Sequence, residues 1–284
     1  MNTIPIARLL KYTTGYKLGT TGGKKIITVP FASKIAALSM VEVTGGKLLP
    51  KQGVTYDLMT GTRKVVAVSG GKYKITANDG DLHFCVGTTG LHVPCEIQAA
   101  DGQQNTYNSR VGKSCDVTGF FRCLFEHPGF RSNDDAHIFE LHPVRSVNLG
   151  GWQLDYELLA PDNPHPWGSS LNNPATTAKY HSATDEIVFT GAKGMDTNYV
   201  TLRGRISGFR DVPNSGKAHA TLASSALGTG GQITMVFLKG TQAYSDAKAK
   251  SDGALIDVLG LRNIDLGAAL KDRYEINLLT INVG

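Results

Sequence analysis

The chain has 284 residues, which is enough for one large or two ordinary domains. It is 41% hydrophobic and 19% charged, which excludes a disordered protein. Its formal net charge of +5 permits an anionic partner but does not require one, because a dedicated nucleic-acid binder usually has a denser stripe of basic residues. The 33 glycines and 11 prolines fall between short apolar runs, a pattern that favours many strands joined by turns.

The chain start and the cysteines bear on the compartment. Residues 1–11 show no basic region followed by a long apolar run, so we expect no signal peptide. No window approaches the ~20 apolar residues of a membrane helix, and we therefore predict a cytoplasmic protein with no membrane partner. The cysteines form no C-x-x-C pair, which favours buried free thiols over disulfides or zinc; they are Cys85, Cys95, Cys115 and Cys123.

Residues 1–60 are interpreted as an N-terminal arm that carries short strands. Lys24–Pro30 is one strand candidate, and residues 35–43 form another before the break at Gly45 and Gly46. An arm with exposed strand edges can join subunits by strand addition. This segment therefore suggests one functional hypothesis, a self-assembling structural protein that forms a homo-oligomer.

Residues 61–150 alternate apolar and polar side chains in a series of strands. In Asp81–Val86, the residues Leu82, Phe84 and Val86 point to one face while Asp81 and His83 point to the other. The preceding Asn-Asp-Gly at residues 78–80 predicts a hairpin turn. The closing strand, residues 137–147, places Glu140 and His142 together on one face, so each of the two strands shows an acid–imidazole pair.

These pairs indicate a candidate divalent metal site formed by Asp81, His83, Glu140 and His142. Glu96 also lies opposite the apolar row of its strand and is a further acidic candidate. Imidazole and carboxylate ligands suit a transition metal, whose bound water could serve a metal-dependent phosphodiesterase or nuclease. The alternative is a polar network that fixes the register of a barrel. Whether the protein is an enzyme is left open by these residues.

Basic and aromatic residues support a different hypothesis. The candidate nucleic-acid contacts are Arg110, Lys113, Phe121, Arg122, Arg203 and Arg205. Single strands bind where bases stack on aromatic rings while Lys and Arg follow the phosphates, with an affinity that falls as salt rises. The alternative for each of these residues is a solvated strand face.

Three segments resemble a group of small bacterial β-barrel domains of the OB type. They are Asp-Gly-Asp-x-His at 79–83, Gly-Lys-x-x-x-Val-x-Gly at 112–119 and Glu-Leu-His-Pro-Val at 140–144, within about residues 62–148. The resemblance implies an OB-like barrel. It implies no single activity, because such barrels serve nucleic-acid binding, sugar binding and subunit assembly.

Residues 151–185 are rich in Pro and Asn, as is typical of a connector, and we expect Trp152, Tyr156 and Trp167 to dock onto a domain. Residues 186–284 return to strands, with a helix predicted near 241–250 and a hairpin loop at Gly228–Gly231. The order strand, helix, strand, strand predicts a second OB-like barrel.

The sequence thus predicts an all-β protein with two OB-like β-barrels in tandem, at 61–150 and 186–284, an N-terminal arm at 1–60 and a Pro/Asn-rich connector at 151–185. The leading functional hypothesis is binding of single-stranded nucleic acid or a similar anionic chain. The metal-dependent nuclease and the self-assembling structural protein are the alternatives.

Overall fold

The computed structural model describes residues 2–49, 53–57, 62–66, 76–78, 80–88, 91–130, 136–159, 161, 164–168, 175–192 and 198–284. Strands dominate these residues, which confirms the all-β class. None of the helices in this part of the chain has the length and apolar character needed to cross a membrane. The polar residues Asn133, Asp134 and Asp135, which precede the predicted closing strand, lie outside the described residues, as do residues 67–75 within the predicted series of strands.

The strands are β1 (Asn2–Pro5), β2 (Lys17–Thr21), β3 (Lys24–Pro30), β4 (Met40–Leu49), β5 (Gly53–Asp57), β6 (Thr62–Val66), β7 (Thr76–Asn78), β8 (Asp81–Thr88), β9 (Leu91–Ile97), β10 (Ser114–His127), β11 (His137–Leu149), β12 (Trp152–Asp155), β13 (His165–Pro166), β14 (Thr177–His181), β15 (Glu186–Thr190), β16 (Tyr199–Val212), β17 (Lys217–Ala223), β18 (Gln232–Leu238), β19 (Leu255–Ile264) and β20 (Ile276–Val283). The helices are α1 (Ile6–Thr13), α2 (Ala32–Ala36), α3 (Gln104–Asn108), α4 (Gln242–Ala249) and α5 (Leu266–Ala269).

Five strands close into the first barrel in the order β4, β10, β11, β9, β8, and β8 returns to β4. The pair β9–β11 is parallel, and helix α3 lies in the chain between β9 and β10. A closed five-stranded barrel of this kind is OB-like. Its interior contains Leu82, Phe84 and Val86, as the alternation in β8 predicts, and Gly80 supplies the positive φ (+85°) that the hairpin between β7 and β8 requires.

Strands β16 to β20 repeat this arrangement. They pair in the order β16, β17, β18, β20, β19, with a further β16–β19 pairing that closes the sheet. The pair β18–β20 is parallel, and α4 lies in the chain between β18 and β19. The helix predicted near 241–250 is confirmed, and the Thr241 hydroxyl caps it by accepting a hydrogen bond from the N–H of Tyr244.

The N-terminal segment is built into the fold. Strand β4, which lies inside the range predicted as an arm, is a strand of the first barrel. Strands β2 and β3 form a four-stranded sheet with β14 and β15, whose apolar face buries Ile27 and Val29 with Ile187 and Phe189. Because β3 alternates apolar and polar side chains, its apolar face must be covered by other apolar residues, and the N-terminal segment therefore packs into the fold. The predicted domain boundaries and the homo-oligomer stay predictions.

The two barrels share buried contacts. One hydrophobic cluster combines Phe120 of β10 with Tyr199 of β16 and Leu261 of β19. Across the same contact, the backbone N–H of Cys123 donates to Oδ1 of Asn263 at 2.9 Å. The four cysteines are buried and none of them forms a disulfide, in agreement with the expected thiols. The outer face of the first barrel is therefore a packing surface for the second barrel.

Candidate functional site

A buried polar network lies on the outer face of β8, β9 and β11. The predicted metal site assumed that β8 and β11 are neighbours, but β9 lies between them and brings Glu96 into the centre. Oε2 of Glu96 lies 2.9 Å from Nδ1 of His142, and Oε1 lies 3.4 Å from Nε2 of His83. The two predicted acid–imidazole pairs are therefore joined through a third strand.

Tyr199 of the second barrel belongs to the same network. Its hydroxyl donates a hydrogen bond to Oδ2 of Asp81 at 2.8 Å and accepts one from Nε2 of Gln98 at 3.0 Å. The same oxygen lies 2.8 Å from Nε2 of His142. One phenol thus engages three polar groups of the first barrel, all of them buried.

Arg122 of β10 completes the network, and its side chain is fully buried. Its Nη1 forms an ion pair with Glu140. Its Nε donates to the carbonyl oxygen of Arg262 at 2.8 Å, and its Nη2 donates to Oδ1 of Asn198 at 2.6 Å. Because Arg262 and Asn198 belong to the second barrel and its approach, the guanidinium bonds the two barrels to each other.

Opposite charges face each other in this network. Burial lowers the pKa of His142, but Glu96 and Glu140 outweigh burial and raise it to about 10, so the imidazole is protonated. Burial raises the pKa of Glu96, yet His142 and His83 bring it down to about 2. Burial likewise opposes ionisation of Glu140, but Arg122 holds its pKa well below the ordinary value. Two cations, His142 and Arg122, therefore face two carboxylates.

These ion pairs determine how well a metal ion would fit the network. One ligand atom each of Asp81, Glu96 and His142 lies within 4.8 Å of the others, a spacing that a cation could use. A protonated imidazole has no lone pair for a metal, and Nδ1 and Nε2 of His142 both already face partners. Arg122 supplies the positive charge that a metal would bring. The residues fit a closed ion network better than a metal centre.

Two of the six predicted nucleic-acid contacts lie inside the protein. Phe121 is 4% exposed and stacks on Phe139 with a centroid distance of 5.4 Å. Arg122 is 0% exposed and belongs to the ion network. Phe121 points into the core of the first barrel, whereas Arg122 lies on the outer face of β10, which the second barrel covers. Neither side chain is accessible to a nucleic acid in this fold.

Arg110 lies beside an exposed aromatic ring, and the backbone N–H of Lys113 donates to the carbonyl oxygen of Arg110. The guanidinium of Arg110, just after α3, stands 4.5 Å from the ring centroid of Trp152, and that indole is 39% exposed. Lys113 is exposed at the start of β10. We call these three residues the Trp152 patch.

Arg203 and Arg205 line a groove on the second barrel with a volume of about 640 Å³. Both project outward from β16, with Gly204 between them. The opposite wall is the loop between β17 and β18, which includes Ser225 and Gly228–Gly231. Arg203 lies 3.8 Å from Asp257, and both side chains are 67% exposed, so solvent weakens this pair. We call this surface the arginine groove.

Two glycines set the shape of the arginine groove. A Cβ on Gly204 would lie 2.4 Å from the carbonyl oxygen of Ala223, so β16 and β17 approach closely only because this residue has no side chain. A Cβ on Gly231 would lie 2.5 Å from Cβ of Leu227, so the loop can fold back on itself only because residue 231 has no side chain. The groove thus depends on backbone that larger residues would push apart.

A cavity of about 510 Å³ adjoins the arginine groove and shares Gly231 and Gln232 with it. Trp167 and Tyr274 give this cavity an aromatic lining, and Asp265 gives it a carboxylate. We call it the Trp167 cavity. Trp167 is docked into the barrel core and Tyr156 packs against the first core, as expected for the connector aromatics, whereas Trp152 is exposed.

Several of these residues were not singled out by the sequence. Tyr199 stands in an alternating segment like any core aromatic, and Tyr274 lies within the strand-rich range predicted at 186–284. Nothing in their local pattern separates them from ordinary core residues, because their partners are more than 50 residues away. The loop at Gly228–Gly231 was identified correctly as a loop, but its position opposite Arg203 depends on the barrel closure.

No protein-family model and no curated protein matches the chain. Among solved structures, the Stn1–Ten1 complex of S. pombe is 18% identical, with 31% of this chain and 57% of that chain covered and a TM-score of 0.25. The chain therefore spans little more than half of that protein. The wild-type single-stranded DNA binding protein from Thermus aquaticus is 11% identical, with coverage of 84% and 88% and a TM-score of 0.24. Scores this low assign no function.

Proposed function

We propose that the protein binds single-stranded nucleic acid along the arginine groove of the second barrel. The observation that carries the proposal is the pairing of Arg203 and Arg205 with a glycine-rich loop, beside a cavity lined by Trp167 and Tyr274. Cationic side chains that follow phosphates, next to aromatic rings that take bases, are the two components of single-strand recognition.

The spacing of the two arginines suits an extended anionic chain. Residues two apart on a strand point to the same side and lie about 6.6 Å apart. Arg203 and Arg205 therefore offer neighbouring phosphates one guanidinium each, and guanidinium groups bind phosphate through parallel N–H donors. The pair of Arg203 with Asp257 is exposed, so a phosphate can displace the carboxylate at small cost.

The Trp152 patch is a second contact in this proposal. Arg110 and Lys113 add positive charge there, and the exposed face of Trp152 offers a stacking surface. It belongs to the first barrel, so a strand that reached both sites would use the rigid spacing set by the buried network.

The test is the salt dependence of binding. Fluorescence anisotropy of a labelled oligonucleotide should show an affinity that falls as salt rises, with a log–log slope of about −0.7 for each phosphate neutralised. The variant Arg203→Ala/Arg205→Ala should bind more weakly and show a shallower slope. The variant Arg8→Ala/Lys17→Ala removes the same charge from exposed positions elsewhere and serves as the control.

Two results would end the proposal. One is the absence of binding by the wild type at low salt. The other is an equal loss of affinity in the test and control variants, because that would indicate a general charge effect instead of a site.

The nuclease alternative is not proposed. The residues predicted for it are joined in an ion network with Arg122, and His142 is protonated there. Such a histidine offers neither a metal ligand nor a general base at neutral pH.

A further inference from the structure

The Trp167 cavity has a lining that phosphates would avoid. Its size lies in the ordinary range for small-molecule sites. The polar and aromatic residues of its lining include Trp167, Gln232, Thr234, Asp265, Tyr274 and Glu275. Two of these are carboxylates, so the cavity and the adjoining arginine groove have opposite electrostatic character.

Local structure holds Asp265 in place. The residue precedes α5, and its Oδ1 accepts a hydrogen bond from the backbone N–H of Ala268 at 3.0 Å. That bond fixes the orientation of the carboxylate. Glu275 lies 3.1 Å from Arg273, and both side chains are largely exposed, so this pair is open to exchange with a ligand.

Trp167 is a second and independent indication of a ligand. Its side chain is 6% exposed, and its indole Nε1–H has no acceptor among the residues that the structure describes. A buried donor left without an acceptor is costly and uncommon. Trp167 lines the cavity, and because its N–H has almost no exposed surface, an acceptor carried by a bound group would relieve that cost once the indole turns towards the cavity.

The required ligand therefore combines donors for a carboxylate, an acceptor for an indole N–H and a flat face for Tyr274. Among nucleobases, guanine offers two adjacent donors, N1–H and the N2 amino group, with the O6 acceptor beside them. Adenine and cytosine present one amino group next to acceptors. Thymine and uracil present one N–H between two carbonyls, which a carboxylate repels.

We propose that the Trp167 cavity is a guanine-selective subsite for a single strand whose phosphates lie in the arginine groove. The inference rests on the proposed function and adds base selectivity to it. Asp265 accepts from the Watson–Crick edge of guanine, and the base lies against the aromatic lining. Guanine is preferred because it alone satisfies a carboxylate with two neighbouring donors.

The test compares two labelled oligonucleotides of about 15 nucleotides, a length within reach of single-barrel site sizes. One contains only thymine, and the other has a single central guanine. The wild type should bind the guanine-containing strand about tenfold more tightly, the discrimination that one bidentate contact gives.

Asp265→Asn should remove this preference while leaving the affinity for oligothymidine unchanged. Asparagine still caps α5, so the loop should keep its fold. Trp167→Phe, which keeps a ring but removes the N–H, should reduce the preference. Asp246→Asn, on α4, is the matched control and should keep it. Circular dichroism checks that each variant is folded.

The outcomes are distinguishable. Equal binding of both strands by the wild type overturns the guanine subsite and leaves the proposed function intact. No binding of either strand overturns the proposed function and the subsite together. A guanine preference that survives in folded Asp265→Asn overturns the assignment to this cavity.

Discussion

The two barrels have the same strand order but use their outer faces in opposite ways. In the first barrel, the face of β8, β9 and β11 carries a buried ion network centred on Glu96, Arg122 and His142, and the second barrel covers it. In the second barrel, β16 and the loop after β17 border an open groove with Arg203 and Arg205. One face holds the molecule together, and the other is available to a ligand.

The comparison shows why a similar set of residue types has different consequences on the two faces. Arg122 and Arg203 are both strand arginines near a carboxylate. Arg122 is fully buried and must be paired, whereas Arg203 is exposed and exchanges its partner easily. Burial, which strand alternation alone does not reveal, separates the structural arginine from the candidate binding arginine.

The largest expected effect is the loss of Arg122. Arg122→Met should lower the free energy of unfolding by about 3–5 kcal/mol, because it removes the guanidinium that neutralises the buried Glu140 and leaves that carboxylate with only its histidine contacts. Urea denaturation measures the change. Arg203→Met is the matched control and should stay within about 0.5 kcal/mol of the wild type. Similar losses in both variants would contradict the distinction between the two faces.

Tyr199→Phe should have the next largest effect. It removes the hydroxyl that engages Asp81, Gln98 and His142, and a cost of about 1–3 kcal/mol follows from the unsatisfied buried groups. Tyr244→Phe loses a hydroxyl that donates to Asp211 at an exposed position and should be nearly neutral. If the two variants unfold at the same urea concentration, Tyr199 does not join the barrels.

The pH dependence of stability tests the charge state of the network. Because the pKa of His142 is raised to about 10, its stabilising contribution is full below its ordinary value of 6.5 and is lost as pH rises through 10. Because the pKa of Glu96 is lowered to about 2, its contribution is full above 4.5 and is lost as pH falls through 2. In urea melts, His142→Gln should show a smaller decline than the wild type between pH 7 and pH 10. Parallel declines in the two proteins would mean that His142 is neutral in the fold.

Glu126→Gln is expected to give the smallest effect, and with the opposite sign. Burial raises the pKa of Glu126 to about 7, so the carboxyl favours folding when protonated and this contribution is lost as pH rises from 4.5 through 7. Glutamine keeps the acceptor for Nδ2 of Asn198, a hydrogen bond of 3.1 Å, without the charge. The variant should therefore be more stable than the wild type at pH 8 and indistinguishable at pH 4. A loss of stability at pH 8 would contradict a partly buried, unfavourably charged Glu126.

Much of the fold can be predicted from the sequence because strand alternation is local. The apolar row Leu82, Phe84 and Val86 identifies both the strand and its buried face, and the turn chemistry at Gly80 identifies the hairpin. The position of β4 and β3 could not be predicted in the same way. Their partners, such as Ile187 and Phe189, lie far away in sequence, so a segment with short strands looks like an arm.

The candidate sites were predicted less well because they depend on strand order. Asp81, His83, Glu140 and His142 do belong to one network, but Glu96, Arg122 and Tyr199 determine its chemistry. Arg203 and Arg205 are recognisable from their spacing on one strand. The loop and the cavity that make their surface a groove arise from barrel closure, which pairs residues that no local pattern connects.

The central claim is that the arginine groove of the second barrel is the ligand surface, while the face of β8, β9 and β11 on the first barrel is closed. Hydrogen–deuterium exchange of the protein with and without an oligonucleotide tests it most directly. We predict slower exchange in the loop at residues 224–232 and in residues 265–275, with no change in β8 and β9. Slower exchange confined to β8, β9 and β11, with the loop of the arginine groove unaffected, would contradict the account.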